Sequence, residues 1–169
     1  MPVTNLSAAI EGSTAWVRIV GRACAERAKD FGGAVELFRS QGVKDVVLEL
    51  GECRLMDSTF SGVLTGLIES TSETKIDFTL VNPTERVTDL LDTLGVLNLV
   101  KLVSCDSVAN RGASWEIERG SHSQEENAAC CLKAHQLLMG LKPENQARFA
   151  DLTRMLEENL RQTQVGSGA

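Results

Sequence analysis

Leu48-Glu49-Leu50-Gly51-Glu52-Cys53-Arg54-Leu55-Met56-Asp57-Ser58-Thr59-Phe60-Ser61-Gly62-Val63-Leu64 decides the reading of this chain, because three pieces of different character meet in it. An apolar run ending at Leu50 suits a buried strand, a short loop crosses over, and an Asp-Ser-Thr cluster stands where an apolar helix begins. Asp57 or Ser58 is placed to cap that helix, since a short oxygen-bearing side chain reaches the free N–H groups of a first turn. Hydroxyls here lie beside unpaired backbone N–H groups and the positive end of a helix dipole, a location that favours an anion. A phosphate on Ser58 would bring about -1.5 to -2 charge units to a loop already holding Asp57 and Glu52, enough to repel a docked partner. The plainer reading makes Asp57 or Ser58 only an N-cap worth about 1 kcal/mol, with Thr59 and Ser61 as ordinary first-turn polar residues.

Upstream, Thr14 to Val20 is rich in β-branched and aromatic residues and reads as a strand that Gly21 breaks. Ala23 to Gln41 places Ala28, Phe31, Val35 and Phe38 along one helical stripe and ends at Gly42, with Gly32-Gly33 as an interior bend. Val43 to Leu50 has consecutive apolar residues at Val46-Val47-Leu48, which suits a strand covered on both faces. Downstream, Phe60, Val63, Leu64, Leu67 and Ile68 form the buried stripe of a helix from Asp57 or Ser58 to about Ser72. Lys75 to Val81 is the next strand. Asn82-Pro83-Thr84 then opens a helix with Val87, Leu90, Leu91 and Leu94, and Val96 to Val103 is a last strand. Strand and helix alternate, so the class is α/β: a mixed sheet of 4 or 5 strands with helices mostly on one face, and Leu6 to Ile10 as an edge strand.

Beyond residue 105 the character changes. Residues 106–124 are rich in Ser, Asn, Gly, Arg and Glu and read as a linker, with Trp115 and Ile117 its candidates for docking. Residues 125–169 read as a helical hairpin: a helix to Met139, a turn at Gly140 to Pro143, and a helix lined by Phe149, Leu152, Leu156 and Leu160, with a frayed tail from Val165. The leucine stripe must be covered, either by the sheet domain or by a subunit or partner that meets Leu137, Leu138, Leu141, Phe149 and Leu152. In the second case the hairpin would make a homo-oligomer.

Composition narrows the function. The chain has 169 residues, of which 43% are hydrophobic, with 17 basic and 23 acidic residues for a net charge of -6. No run approaches the roughly 20 apolar residues of a membrane span, and Met1-Pro2-Val3-Thr4 lacks the order of a secretory signal. A cytoplasmic protein is expected. Scattered basic residues argue against nucleic acid and anionic lipid as partners. Five cysteines, Cys24, Cys53, Cys105, Cys130 and Cys131, form no CxxC pair and read as free thiols of a reducing compartment. His122 and His135 have no companion at metal or catalytic spacing and read as solvated or helix-capping; no metal or cofactor is expected. Cys53 beside Arg54 is the one hint of a reactive thiol, and Gly32-Gly33 lacks the pattern of a dinucleotide site.

The order of elements over residues 1–105, with Leu48-Glu49-Leu50 leading into Leu55-Met56-Asp57-Ser58-Thr59 and Gly62-Val63-Leu64, resembles the STAS domain of bacterial anti-sigma factor antagonists. Asn82-Pro83 and the helix after it fit the same pattern. Where the family has glycine two places beyond its phosphoacceptor this chain has Phe60, followed by Ser61, so Phe60 would either fill the docking surface or obstruct it. The resemblance implies a non-enzymatic partner switch. An unmodified domain binds an anti-sigma factor that is also a serine kinase, phosphorylation ends the binding, and a phosphatase restores it. Carried over by position, the phosphoacceptor is Ser58, with Thr59 as the second hydroxyl, and the docking surface comprises Cys53, Arg54, Leu55, Met56, Asp57, Ser58, Thr59, Phe60, Ser61 and Gly62 with the exposed side of the following helix. Two other readings keep their place: a STAS scaffold subunit never phosphorylated, and a small enzyme using Cys53 or the Asp57–Ser58 pair in a deep pocket.

Overall fold

The computed structural model describes residues 4–70, 75–106 and 114–166. Within them the order is β1 (Asn5–Glu11), β2 (Thr14–Ala23), α1 (Ala25–Ser40), β3 (Asp45–Glu49), β4 (Cys53–Met56), α2 (Ser58–Ile68), β5 (Asp77–Val81), α3 (Glu85–Leu94), β6 (Lys101–Val103), β7 (Trp115–Glu116), α4 (Gln124–Met139) and α5 (Pro143–Gly166). The sheet runs β6-β5-β3-β2-β1-β7, with β4 paired to β2. β3, β5 and β6 are parallel neighbours, while β1 is antiparallel to β2 and β7. The mixed α/β architecture is the expected one, but the sheet has seven strands among the described residues where 4 or 5 were expected, because the short β4 and β7 lie in stretches that read as loop and linker.

Alternation along β2 explains which face is covered: Ala15, Val17, Ile19 and Ala23 are buried, whereas Arg18 and Arg22 are exposed. Val46 and Leu48 of β3 and Phe78 and Leu80 of β5 join the same core. Val47 does not. It stands in register between Trp16 and Thr79 on the other face, and all three are only half-buried, so β3 is not covered on both sides. The apolar Val47 borders other side chains of the sheet there rather than a second layer of helices.

Several local expectations are corrected. Gly21 does not end its strand; with φ +93° it carries a register shift, and β2 continues beyond it to pair with β4, a strand that had read as loop. The run expected as a strand from Val96 to Val103 begins instead as a 3-10 turn over Val96–Leu99, because Gly95 in the left-handed region (φ +85°) ends α3 and folds the buried Val96 back onto the core. Leu6 to Ile10 is strand but not an edge, since β7 pairs on its outer side.

The segment between the sheet and the hairpin is strapped down over its second half. Ile117 donates its N–H to Leu6 O at 2.7 Å, Arg27 donates to Ile117 O at 2.5 Å, and Trp115 meets Phe38 edge-on at 6.3 Å. Asp30 accepts from Gly120 N at 3.0 Å and from His122 Nε2 at 2.7 Å. Trp115 and Ile117 are thus docked, as their apolar character suggested, while residues 107–113 lie outside the described residues.

The hairpin packs back on the sheet domain. Ser123 opens α4 with a capping box, its hydroxyl taking the Glu126 N–H while the Glu126 carboxylate takes the Ser123 N–H. Leu138 and Phe149 enter the main core, and Leu137 and Leu141 are half-buried. The buried Asn145 donates through Nδ2 to Leu94 O at 3.0 Å and Leu138 O at 2.7 Å, tying the hairpin turn to the end of α3. Leu152 is 37% exposed and Met155 65%, so the outer half of α5 stands clear of the core. The helix extends through Val165, where a frayed tail had been expected, and residues 167–169 lie outside the described residues.

Candidate functional site

Asp57 is the N-cap of α2: its Oδ1 accepts from Phe60 N at 2.9 Å. Its other oxygen, Oδ2, accepts from Ala25 N at 2.8 Å, the first residue of α1, whose own cap residue Cys24 makes no side-chain bond. One carboxylate therefore serves two helix starts and welds α1 to α2, a use that the sequence pattern alone does not separate from an ordinary cap. Ser58 follows as the first residue of α2, half-buried at the helix's positive end.

The Ser58 hydroxyl is not free. Oγ lies 2.8 Å from His135 Nε2 on α4. His135 Nδ1 is 2.7 Å from its own helix's Cys131 carbonyl oxygen, which only accepts, so Nδ1 carries a hydrogen and the Nε2 of a neutral ring takes the Ser58 proton as acceptor. Thr59 Oγ1 is 3.5 Å from Cys131 Sγ, and the Cys131 thiol is 3.5 Å from His135 Nδ1. Hydrogen bonding from His135, reinforced by Thr59, holds the Cys131 thiol below its ordinary value of 9.0 against the opposing effect of burial. For His135 burial disfavours the charged ring, but its bonds with Cys131 outweigh that, and the imidazole sits above 6.5. His135, expected as a lone solvated or capping residue, is 1% exposed and stacks edge-on against Phe149 at 4.8 Å. Its companions are 77 and 4 positions away in the chain, a constellation that spacing within one segment could not reveal.

The remaining motif residues divide sharply. Phe60 is fully buried and stacks on Phe31 of α1 with centroids 4.8 Å apart, so it fills the core and neither supplies nor obstructs an outer surface. Cys53 and Met56 are buried in the core, Arg54 is exposed, and Leu55 and Asp57 are half-buried. Burial pushes the Cys53 thiol up, the reverse of what a nucleophile needs. Ser61 is fully buried, its hydroxyl donating to Asp57 O at 2.9 Å. The expected exposed side of α2 is absent among the described residues of the helix: Thr59, Gly62, Leu64, Thr65 and Leu67 are all buried, because α4 lies along the flank that the sheet and α1 leave open.

At Gly62 the approach of α4 is closest. A Cβ built there would fall 2.3 Å from Ala134 O and 2.6 Å from Ala134 C and Cβ, so the two backbones meet where no larger side chain fits. On the same flank a groove of about 620 Å³ runs between α1, α2 and α4, with Lys29, Glu36, Glu69 and Lys133 around an apolar floor. Neither Cys53 nor the Asp57–Ser58 pair lines it, so it is not the pocket an enzyme built on those residues would use. Among the described residues no cluster of three metal-ligating side chains occurs, and no helix is long and apolar enough to cross a membrane.

A parallel-centred sheet with an Asp-Ser-Thr helix start directly after its short fourth strand defines the class of domain. The family model of the STAS domain matches residues 5–109, and the chain belongs to that family. Similar solved structures include TM1081 of Thermotoga maritima, assigned as an anti-sigma factor antagonist, at 24% identity and TM-score 0.51 over 56% of this chain and 82% of that one. The NMR structure of TM1081 gives 24% identity and TM-score 0.52, covering 57% and 78%. The unphosphorylated anti-sigma factor antagonist SpoIIAA gives 15% identity and TM-score 0.53, covering 61% and 88%. Among curated proteins none matches this chain. The family match stops short of α4 and α5, so the hairpin that contacts Ser58 lies beyond the matched residues.

Proposed function

We propose that this chain is a non-enzymatic anti-sigma factor antagonist of the cytoplasm, working as a phosphorylation-controlled partner switch with Ser58 as the phosphoacceptor. The observation that carries this reading is the position of Ser58, first residue of α2 and directly after the capping Asp57, in a STAS domain. The partner is an anti-sigma factor that is also a serine kinase. Ser58 Oγ attacks the γ-phosphorus of the kinase's ATP, the bond to ADP breaks, and the hydroxyl proton is released. The product dianion stands beside Asp57, where it repels a docked protein, and a serine phosphatase reverses the step by hydrolysis. The docking surface centres on Arg54, Leu55, Asp57 and Ser58, with the buried Thr59 and Gly62 on the flank that α4 covers, while Cys53, Met56, Phe60 and Ser61 support it from within.

The test is to incubate the protein with a purified anti-sigma serine kinase and ATP and map the phosphate by mass spectrometry. Phosphate on Ser58, absent from Ser58→Ala, with loss of co-purification is the expected result. Phosphate elsewhere, or a complex that persists with Ser58 modified, overturns the reading. A stable complex that forms with no phosphate transfer points to the scaffold alternative.

A further inference from the structure

We propose that the α4–α5 hairpin is a built-in occupant of the α2 docking surface, an autoinhibitory cover that swings away as a unit before a partner docks or Ser58 is phosphorylated. The identity of the excluded partner rests on the function proposed above; the cover itself rests on the geometry of one chain.

The cover lies on the functional helix and not elsewhere. Its contacts with α2 begin at the motif serine, Ser58 Oγ to His135 Nε2 at 2.8 Å, continue through Thr59 to Cys131 at 3.5 Å, and close at Gly62 against the Ala134 backbone. One turn on, a Cβ at Gly66 would come within 2.8 Å of Leu137 Cδ1. Glycine weakens a helix interior, yet α2 carries two on the side that meets α4. With its hydroxyl engaged by His135 and α4 packed beside it, Ser58 is half-buried and its Oγ is not free for an incoming phosphorus until that contact opens. A protein that docks on α2 meets α4 first.

The attachment has the design of a hinged part. Residues 117–122 are fastened to the sheet and α1 by Leu6, Arg27 and Asp30, so the chain is fixed up to His122. At Ser123 a capping box begins α4 from residues of its own first turn, with Glu126 Oε2 also 3.7 Å from Lys29 Nζ of α1 and from His122 Nδ1. The pivot falls between those two residues. Beyond it the hairpin holds its own interior together, with Asn145 bonded to Leu138 O and Gln146 to Met139 O, both at 2.7 Å. Its hold on the domain combines Leu138 and Phe149 in the core and the buried Asn145 bond to Leu94 O with two polar bonds nearer the surface, Ser58–His135 and the Lys142 ammonium 3.3 Å from Thr93 O.

Hydrogen exchange followed by mass spectrometry on the full chain tests this without a partner. In the wild type, α4 amides should exchange faster than those of β3 and β5, through openings smaller than global unfolding. Gly62→Ala, which improves α2 as a helix but collides with Ala134, should speed α4 exchange about tenfold or more while leaving β3 and β5 unchanged. Exchange of α4 only together with β3 and β5, in both forms, overturns the cover and makes the hairpin part of the core.

A second variant works in the opposite sense. Thr59→Cys, oxidised with diamide to join Cys131, should hold the hairpin closed, slow α4 exchange, and cut phosphate incorporation at Ser58 by the kinase and ATP about tenfold relative to the dithiothreitol-reduced form. Equal incorporation in the crosslinked and reduced forms overturns the cover. No incorporation in wild type, Gly62→Ala or reduced Thr59→Cys refutes the phosphorylation reading alone, because the exchange data decide the cover independently.

Discussion

Helices α2 and α3 begin alike and end in opposite surroundings. Each follows a strand and is capped by the side chain of the preceding residue, Asp57 for α2 and Thr84 for α3. α3 is two-sided: Val87, Leu91 and Leu94 face the core, and Glu85, Arg86, Asp89 and Asp92 face water. In α2, Ser-Thr-Phe-Ser-Gly-Val-Leu-Thr-Gly-Leu-Ile contains no charged residue at all. A helix without a charged face needs cover on every side, and in this chain α1, the sheet and α4 supply it. The difference teaches that the helix bearing the candidate phosphoacceptor is written for burial on every side, and that the hairpin supplies the cover on the side facing α4.

The comparison breaks most visibly at Phe60. Phe60→Ala removes a fully buried ring stacked on Phe31 and should cost about 3–5 kcal/mol, read as a lower urea midpoint for the whole domain. If the loss is under about 1 kcal/mol, α2 is not the core element described. Next comes Asn145→Ala, which strips two buried carbonyls, Leu94 O and Leu138 O, of their shared donor. About 1–3 kcal/mol should be lost, showing first as faster exchange in α4 and α5 and not in β3. On α3 the contrasting change is Asp89→Lys at an exposed position, where stability should stay within about 0.5 kcal/mol of wild type. A large loss there would mean that α3, like α2, is covered.

The smallest effect concerns chemistry and not stability. A thiol whose pKa is lowered remains thiolate to lower pH, so the iodoacetamide reaction of Cys131 should have its midpoint below pH 9.0. His135→Gln removes the principal cause and should move that midpoint up; an unmoved midpoint would show that His135 does not hold the thiol in solution.

Most of the fold was legible because it is local. The β-branched run at Thr14 to Val20, the stripe Phe31, Val35 and Phe38, and the Asn82-Pro83-Thr84 stop and start each act within one turn or strand. Gly21 and the Val96 turn were not, since a glycine with positive φ marks a bulge in one place and an end in another, and only the pairing partner decides. At the site, Asp57 and Ser58 were readable from the strand-to-helix junction. His135 and Cys131 were not, because a side chain brought from 77 positions away by tertiary packing leaves no periodicity. One signal was present and would have found the cover: eleven residues from Ser58 to Ile68 without a charge cannot have a solvated face.

The strap formed by Arg27, Asp30 and His122 has a final consequence. It brings the moving part's attachment to the edge of its own seat, so return of the hairpin is an intramolecular event with an effective concentration on the order of millimolar. A soluble competitor must outbid that local abundance. Its observed dissociation constant is therefore weaker than its intrinsic one by the ratio of all chains to open chains, and any change loosening the strap would tighten the observed binding without touching the contact surface.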